Sequence, residues 1–204
     1  MSLLGDTPTE LLPGDGSAVL HPWVLGDRPW EPVMEELMAS IPWEQHTIVV
    51  HGREHPQPRL TAWFGDEGCG YTYSNVRMEV LPWFPLLTEL RGICNGLAGH
   101  GFNSVLANLY RDGNDAMGWH RDNEPELGAE PVIASLSLGG TRRFRLRHRV
   151  TRESVDVDLG PGSLLVMSGL SQECWEHCIP RRAKVAGPRI NLTFRRVTPG
   201  QNRG

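Results

Sequence analysis

Two stretches of the chain alternate polar and apolar side chains with a period of two. Within residues 102–110, Val105, Ala107 and Leu109 fall on one side and Leu106, Asn108 and Tyr110 on the other. Within residues 189–197, Ile190, Leu192 and Phe194 oppose Arg189, Asn191, Thr193 and Arg195. This period predicts strands, because successive Cβ atoms leave opposite faces of a pleated backbone. Further strands are predicted at 132–138, 143–150, 154–159 and 163–167, with Gly139-Gly140 and Gly160-Pro161-Gly162 as turns. Upstream, the β-branched run Thr47-Ile48-Val49-Val50 predicts a strand or hairpin leading into a polar stretch with His51, Arg53, His55 and Arg59. Tyr71 and Tyr73 share one face of another short strand.

A period near 3.6 appears twice. Val33, Met34, Leu37 and Met38 follow a proline-rich start after Asp27, and Leu86, Leu90, Ile93, Cys94 and Leu97 recur after Pro82. Both predict amphipathic helices, the second backing a sheet. Residues 1–18 hold Pro8, Pro13, Gly14 and Gly16 without an apolar period, which predicts a flexible N-terminal arm. Short strands joined by tight turns, with little helix after residue 100, predict a mainly β fold with flanking helices (α+β): a sandwich, jelly roll or barrel.

Composition agrees. The 204 residues include 23 Gly and 16 Pro, which suits one turn-rich domain better than a helical bundle. The net charge of −4 would disfavour a polyanionic partner, but it conceals clustering. Arg142, Arg143, Arg145, Arg147, Arg149 and Arg152 form one basic run, and Arg181, Arg182 and Lys184 a second group. A solvated strand face and a phosphate-contacting face both fit such a run. Cys69, Cys94, Cys174 and Cys178 show no secreted-disulfide spacing, and no signal peptide or membrane-length apolar run is visible. These features predict a reducing, cytoplasmic setting (nuclear in a eukaryote), no membrane and a monomer. Cys174, His177 and Cys178 invite a zinc reading, but no second pair of soft ligands lies at usable spacing.

His120 and Asp122, two apart in an extended segment, project to one side and can reach one ion. His177 is the candidate third ligand. Two histidines and a carboxylate on one face of an octahedron leave three open positions, as Fe(II) requires to take up a chelating co-substrate and oxygen. The polar side of 189–195 offers Arg189 and Arg195 with Asn191 and Thr193 between them, suited to gripping carboxylates. Asn108 and Tyr110 add neutral donors.

In this order and spacing, Asn108-x-Tyr110, His120-x-Asp122, His177 and Arg189-x-Asn191-x-Thr193-x-Arg195 resemble the AlkB family of Fe(II)/2-oxoglutarate dioxygenases. The similarity runs from about Pro58 through Val197 and is greatest to the DNA-repair members that act on duplex DNA. It implies a double-stranded β-helix (jelly roll) core over 101–198. An extension with a nucleotide-recognition lid and supporting helix would span 19–100, and a tail 199–204, all in one structural domain. It implies iron on His120, Asp122 and His177, and 2-oxoglutarate on Asn108, Tyr110, Arg189, Asn191 and Thr193, with Arg195 beside the iron.

The same resemblance implies that Glu124 accepts the exocyclic amine of adenine or cytosine and that Tyr73, with Tyr71 beside it, stacks on the flipped base. Val49 and Val50 would form an apolar wedge, and Arg59, Arg143 and Arg145 would meet the nucleic acid, Arg147 and Arg149 sharing the latter two's face. The implied activity is oxidative demethylation of 1-methyladenine and 3-methylcytosine in DNA, using Fe(II), 2-oxoglutarate and O2 and releasing formaldehyde and succinate. The alternatives are the same chemistry on RNA or a protein side chain, or a nucleic-acid-binding relative with a silent metal site.

Overall fold

The two alternating stretches lie side by side. The computed structural model describes residues 7–50, 52–73, 76–182, 184 and 187–198, without the side chains of 48–50, 71–73 and 76–78. Strand β8, Ser104–Tyr110, pairs antiparallel with β15, Arg189–Arg195, so that Asn108 sits opposite Asn191 and Tyr110 opposite Arg189. On the other side of β15 lies β10, Ile133–Gly139, which brings Ser137 opposite Asn191 and Ser135 opposite Thr193. With β5 (Leu60–Gly65), β13 (Leu164–Ser168), β2 (Ser17–His21) and β1 (Thr9–Glu10) they form a seven-stranded sheet in the order β1-β2-β13-β10-β15-β8-β5.

A second sheet has the order β12 (Ser154–Leu159), β11 (Arg142–His148), β14 (Trp175–Ile179), β9 (Met117–His120). Two hairpins stand apart from these layers: β3 (Thr47–Val50) with β4 (Arg53–Pro56), and β6 (Tyr71–Tyr73) with β7 (Val76–Met78).

Helices α1 (Trp30–Ser40) and α2 (Pro85–Ala98) cover the outer face of the large sheet. Val33, Leu37, Leu87 and Leu90 pack there with Ala107, Leu136, Leu138, Ile190, Leu192 and Phe194. Each such side chain removed from water contributes about 1.5–3 kcal/mol before conformational entropy is subtracted. The opposite faces of β8, β10 and β15 turn towards the small sheet, whose Phe144, Leu146, Leu159 and Trp175 complete a second core with Leu106, Leu165 and Met167. The three strands are therefore buried on both faces. Their polar alternate positions line an interior space, where solvent-facing strands would have carried them outward. The mainly β, two-sheet expectation holds.

Two boundaries differ from expectation. Residues 1–18 were expected to form a flexible arm; residues 1–6 lie outside the described residues, and from Thr9 onward β1 and β2 pair onto the edge of the large sheet through β13. Glu10 explains part of this: its carboxylate accepts from the backbone N–H groups of Leu12 and Ala18 and from the Ser17 hydroxyl, and Ala18 and Leu20 are buried beneath. The strand expected at 143–150 begins at Arg142 and ends at His148, where the chain turns through Arg152 at φ 64°. Arg149 thus leaves the face it was expected to share.

Candidate active site

The site lies between the sheets. His120, at the end of β9, and His177, on β14, are direct cross-strand partners, and their ring centroids are 4.2 Å apart. Asp122 lies two residues beyond β9, with its Oδ1 4.0 Å from His120 Nε2. Ligand atoms from His120, Asp122 and His177 all fall within 4.8 Å of one another, and they are the only such metal-holding group among the described residues. Cys174 and Cys178 are not part of it, so the zinc reading gains nothing.

Opposite, from the large sheet, Arg195 donates to Asp122 Oδ1 at 2.8 Å; both residues are buried. Burial pushes the Asp122 carboxyl up, but Arg195 and the two histidines outweigh it and hold the group at about 2. Burial drives the imidazoles the other way: His177 falls to about 3, with His120 adding to the effect, and His120 is lowered too. Near neutral pH the trio is therefore one carboxylate and two neutral nitrogens, the protonation state that binds a divalent ion.

A recess open on one side joins this trio to the polar faces of β8, β10 and β15. Its lining includes Arg59, Asn108, Tyr110, Ser135, Arg189, Asn191, Thr193 and Arg195. The charged lining residues are three arginines, Arg59, Arg189 and Arg195, against the single carboxylate of Asp122. That balance favours an anion in the remaining space.

The donors are unequally available. Asn191 gives its amide hydrogens to Ser135 Oγ and the Leu136 carbonyl, and its Oδ1 accepts from Thr193. Asn108 Oδ1 accepts from Arg59 Nε at 2.8 Å. Arg189 is different: Nη2 donates to Ser137 Oγ at 2.8 Å, while Nε and Nη1 have no protein partner on a guanidinium only 2% exposed. Burial lowers its pKa to about 10, still well above neutrality. A buried cation with donor capacity left at Nε and Nη1 fits an anionic ligand.

The remaining expected residues divide: Arg59 lies in the cavity wall, and others lie outside it. Glu124 precedes the short 3₁₀ turn Pro125–Leu127 and is not among the cavity-lining residues. Arg59, expected on the nucleic-acid side, is buried and bound to Asn108. Arg143 pairs with Asp158 and Asp156, Arg145 with Asp156, and Arg147 with Glu176, all on the outer face of the small sheet, where Arg147 and Arg145 also approach the Trp119 ring. The basic run is thus matched by carboxylates from β12 and β14. The side chains of Val49, Val50, Tyr71 and Tyr73 lie outside the described residues.

Three contributors carried no assigned role in the sequence. Ser135 and Ser137 hold Asn191 and Arg189, and their alternation within an apolar strand was the available signal. Arg142, which sat within the basic run, is 1% exposed and donates to the carbonyls of Asp112, Asp115 and Pro180, tying two loops together beside the Tyr110 ring. Alternation along β11 puts it on the face of Phe144 and Leu146, away from Arg143, Arg145 and Arg147, once the strand is seen to start at Arg142.

A pair of facing sheets enclosing a His-Asp-His trio and a cationic, carboxylate-sized recess defines an oxygenase site of the iron and 2-oxoglutarate type, and comparison agrees. The chain belongs to the 2OG-Fe(II) oxygenase superfamily, whose model matches residues 17–195. More particularly, it is 40% identical over 196 residues to human "Alpha-ketoglutarate-dependent dioxygenase alkB homolog 3", covering 91% of this chain and 68% of that protein. It is 41% identical over 164 residues to the bovine "DNA oxidative demethylase ALKBH2", covering 76% of this chain and 59% of that one. The solved structure described as "The structure of OsALKBH1" superposes with a TM-score of 0.63 at 18% identity, covering 93% of this chain and all of that one, a likeness of fold. The AlkB resemblance is thereby established, and Fe(II), 2-oxoglutarate and O2 are the cofactor and co-substrates the superfamily implies.

Proposed function

We propose that this chain oxidatively removes N-linked methyl groups from bases in DNA, 1-methyladenine and 3-methylcytosine foremost. One observation carries the reading: a single cavity joins the His120, Asp122 and His177 trio to the unpaired N–H groups of buried Arg189. The relative named a DNA oxidative demethylase supports the choice of substrate.

His120, Asp122 and His177 would hold Fe(II). Bound there with 2-oxoglutarate and O2, iron supplies the oxidising power that hydroxylates the N-methyl group, with succinate, carbon dioxide and formaldehyde as products. The protein's own share is orientation and exclusion of water. Arg195 fixes the Asp122 carboxylate through its 2.8 Å contact. Arg189 offers its two N–H groups to the distal carboxylate of the co-substrate, beside Tyr110. Ser135, Ser137, Asn191 and Thr193 form the network that holds Arg189 and the floor around it in place. Leu106, Met117, Phe144, Met167 and Ile179 line the rest and keep bulk water out.

A base stacked in a duplex cannot reach this recess, so the nucleotide must be turned out of the helix. Glu124 would accept a hydrogen bond from its exocyclic amine, Tyr71 and Tyr73 would stack on or cover it, and Val49 and Val50, on the β3–β4 hairpin, would fill the gap left behind. Arg143 and Arg145 would meet phosphates by exchanging their carboxylate partners, since exposed ion pairs contribute only about 0–1 kcal/mol.

The test is an anaerobically Fe(II)-loaded enzyme given 2-oxoglutarate, oxygen and methylated single- and double-stranded oligonucleotides, with methylated RNA as competitor. Formaldehyde and restored base are expected from DNA. Their absence, or a strong preference for the RNA, would overturn the proposal.

A further inference from the structure

The metal trio comes from two separate segments, and the ladder between them ends early. β9 stops at His120, and its only sheet partner among the described residues is β14. Asp122 lies beyond that ladder, so strand pairing does not set the peptide that positions its carboxylate. What holds that peptide is Gln172. Its side-chain Oε1 accepts from the Asp122 backbone N–H at 3.0 Å, and its own carbonyl accepts from Arg121 Nη1 at 3.5 Å. Gln172 is 2% exposed, and its amide nitrogen is engaged by Ser171 Oγ and Met167 Sδ, which leaves the side chain in one orientation.

Gln172 also belongs to the other segment. It lies in the single helical turn α3 (Ser171–Cys174), which runs directly into β14 and His177. That turn is clamped from outside. Gly16, at φ +123°, lies so close to it that a Cβ there would overlap the Ser171 backbone, and Trp175 Nε1 donates to the Gly14 carbonyl at 3.2 Å. The N-terminal segment thus supports the turn, the turn holds Gln172, and Gln172 holds Asp122.

We infer that Gln172 is a positioning residue for the metal centre: its amide ties the backbone of Asp122 to the element carrying His177 and so sets the spacing of the ligand trio. The Asp122 side chain is oriented by Arg195 and its main chain by Gln172. These are different controls. With Arg195 alone, the carboxylate keeps its partner while the peptide carrying it can drift away from the two imidazoles. The inference rests on His120, Asp122 and His177 being the ligands.

The experiment is anaerobic titration of the full chain with Co(II) and Mn(II), followed by calorimetry and by the Co(II) ligand-field absorption, for wild type, Gln172→Met and Gln172→Glu. Methionine keeps the volume but replaces the amide oxygen with a thioether, a much weaker acceptor for the N–H; glutamate keeps the oxygen acceptor. Loss of an outer partner of this kind typically weakens metal binding about 10–100-fold, and that rise in Kd, with an altered Co(II) spectrum, is expected for Gln172→Met. Gln172→Glu is expected to remain near wild type. Should Gln172→Met fail to fold, Gln172→Asn, one methylene too short to reach, carries the same expectation. Wild-type affinity in the Met or Asn variant, or equal loss in Glu, overturns the inference. A wild-type chain that binds neither ion refutes the ligand set itself and the inference with it.

Discussion

Replacing Arg189 by Met separates co-substrate binding from stability, because the two should move independently. The guanidinium has two N–H groups without a protein partner and is 2% exposed. It stays cationic at neutral pH, with its pKa lowered by burial to about 10. A hydrogen bond to a charged partner is worth roughly 1.5–3 kcal/mol, so two bonds to a carboxylate contribute about 3–4 kcal/mol at the low end. At 1.4 kcal/mol per decade, Arg189→Met should raise the 2-oxoglutarate constant by about 10²–10³. The unliganded protein should not suffer, because methionine removes a poorly compensated buried cation; its Tm should hold or rise. The assay is succinate release against 2-oxoglutarate concentration at saturating oligonucleotide, with thermal melts of the Mn(II)-loaded protein with and without 2-oxoglutarate. A co-substrate constant within about threefold of wild type, in a folded variant, would refute the reasoning.

The other expectations concern different parts of the molecule. His120→Ala and Asp122→Ala should both abolish turnover while leaving oligonucleotide binding measurable by anisotropy. Only Asp122→Ala should also lower the Tm of the metal-free protein, because breaking the buried Asp122–Arg195 pair from one side costs about 3–5 kcal/mol. The Asp122 carboxyl titrates at about 2, below its ordinary 3.8. A depressed carboxylate stabilises the fold above pH 4, and this contribution, about 2 kcal/mol, disappears as the pH falls through 2. Urea melts of metal-free wild type should show that loss, and Asp122→Asn should not. Glu124→Gln should reduce kcat/KM on 1-methyladenine about tenfold in a restored-base assay, the scale of one charged hydrogen bond, and an unchanged value would remove Glu124 from base recognition. Gly139→Ala should cost about 2–4 kcal/mol in a denaturant melt, since at φ +84° the new Cβ would lie 2.5 Å from the Pro188 carbonyl and 2.6 Å from Met34 Sδ.

Local pattern sufficed for much of this protein. The period of two in β8 and β15 put Asn108 with Tyr110, and Arg189 with Asn191, Thr193 and Arg195, on shared faces, because side-chain alternation in a strand follows from chain geometry alone. The helical periods located α1 and α2 to within a few residues, and the His-x-Asp pair with the distant His177 marked the metal trio. What the sequence could not supply was long-range partners. Alternation separates Arg142 from Arg143, but that Arg142 is sealed under two loops while Arg143 pairs with Asp158 on the surface is visible only in the fold. Asn191 and Arg189 looked like equal ligands for a carboxylate, and only the pairing of β15 with β10 showed that Ser135 and the Leu136 carbonyl had already claimed the amide. Gln172 reaches Asp122 across 50 residues of chain. Such contacts depend on which strands become neighbours and in what register. That is decided by the burial of whole faces at once, and tertiary structure alone records it.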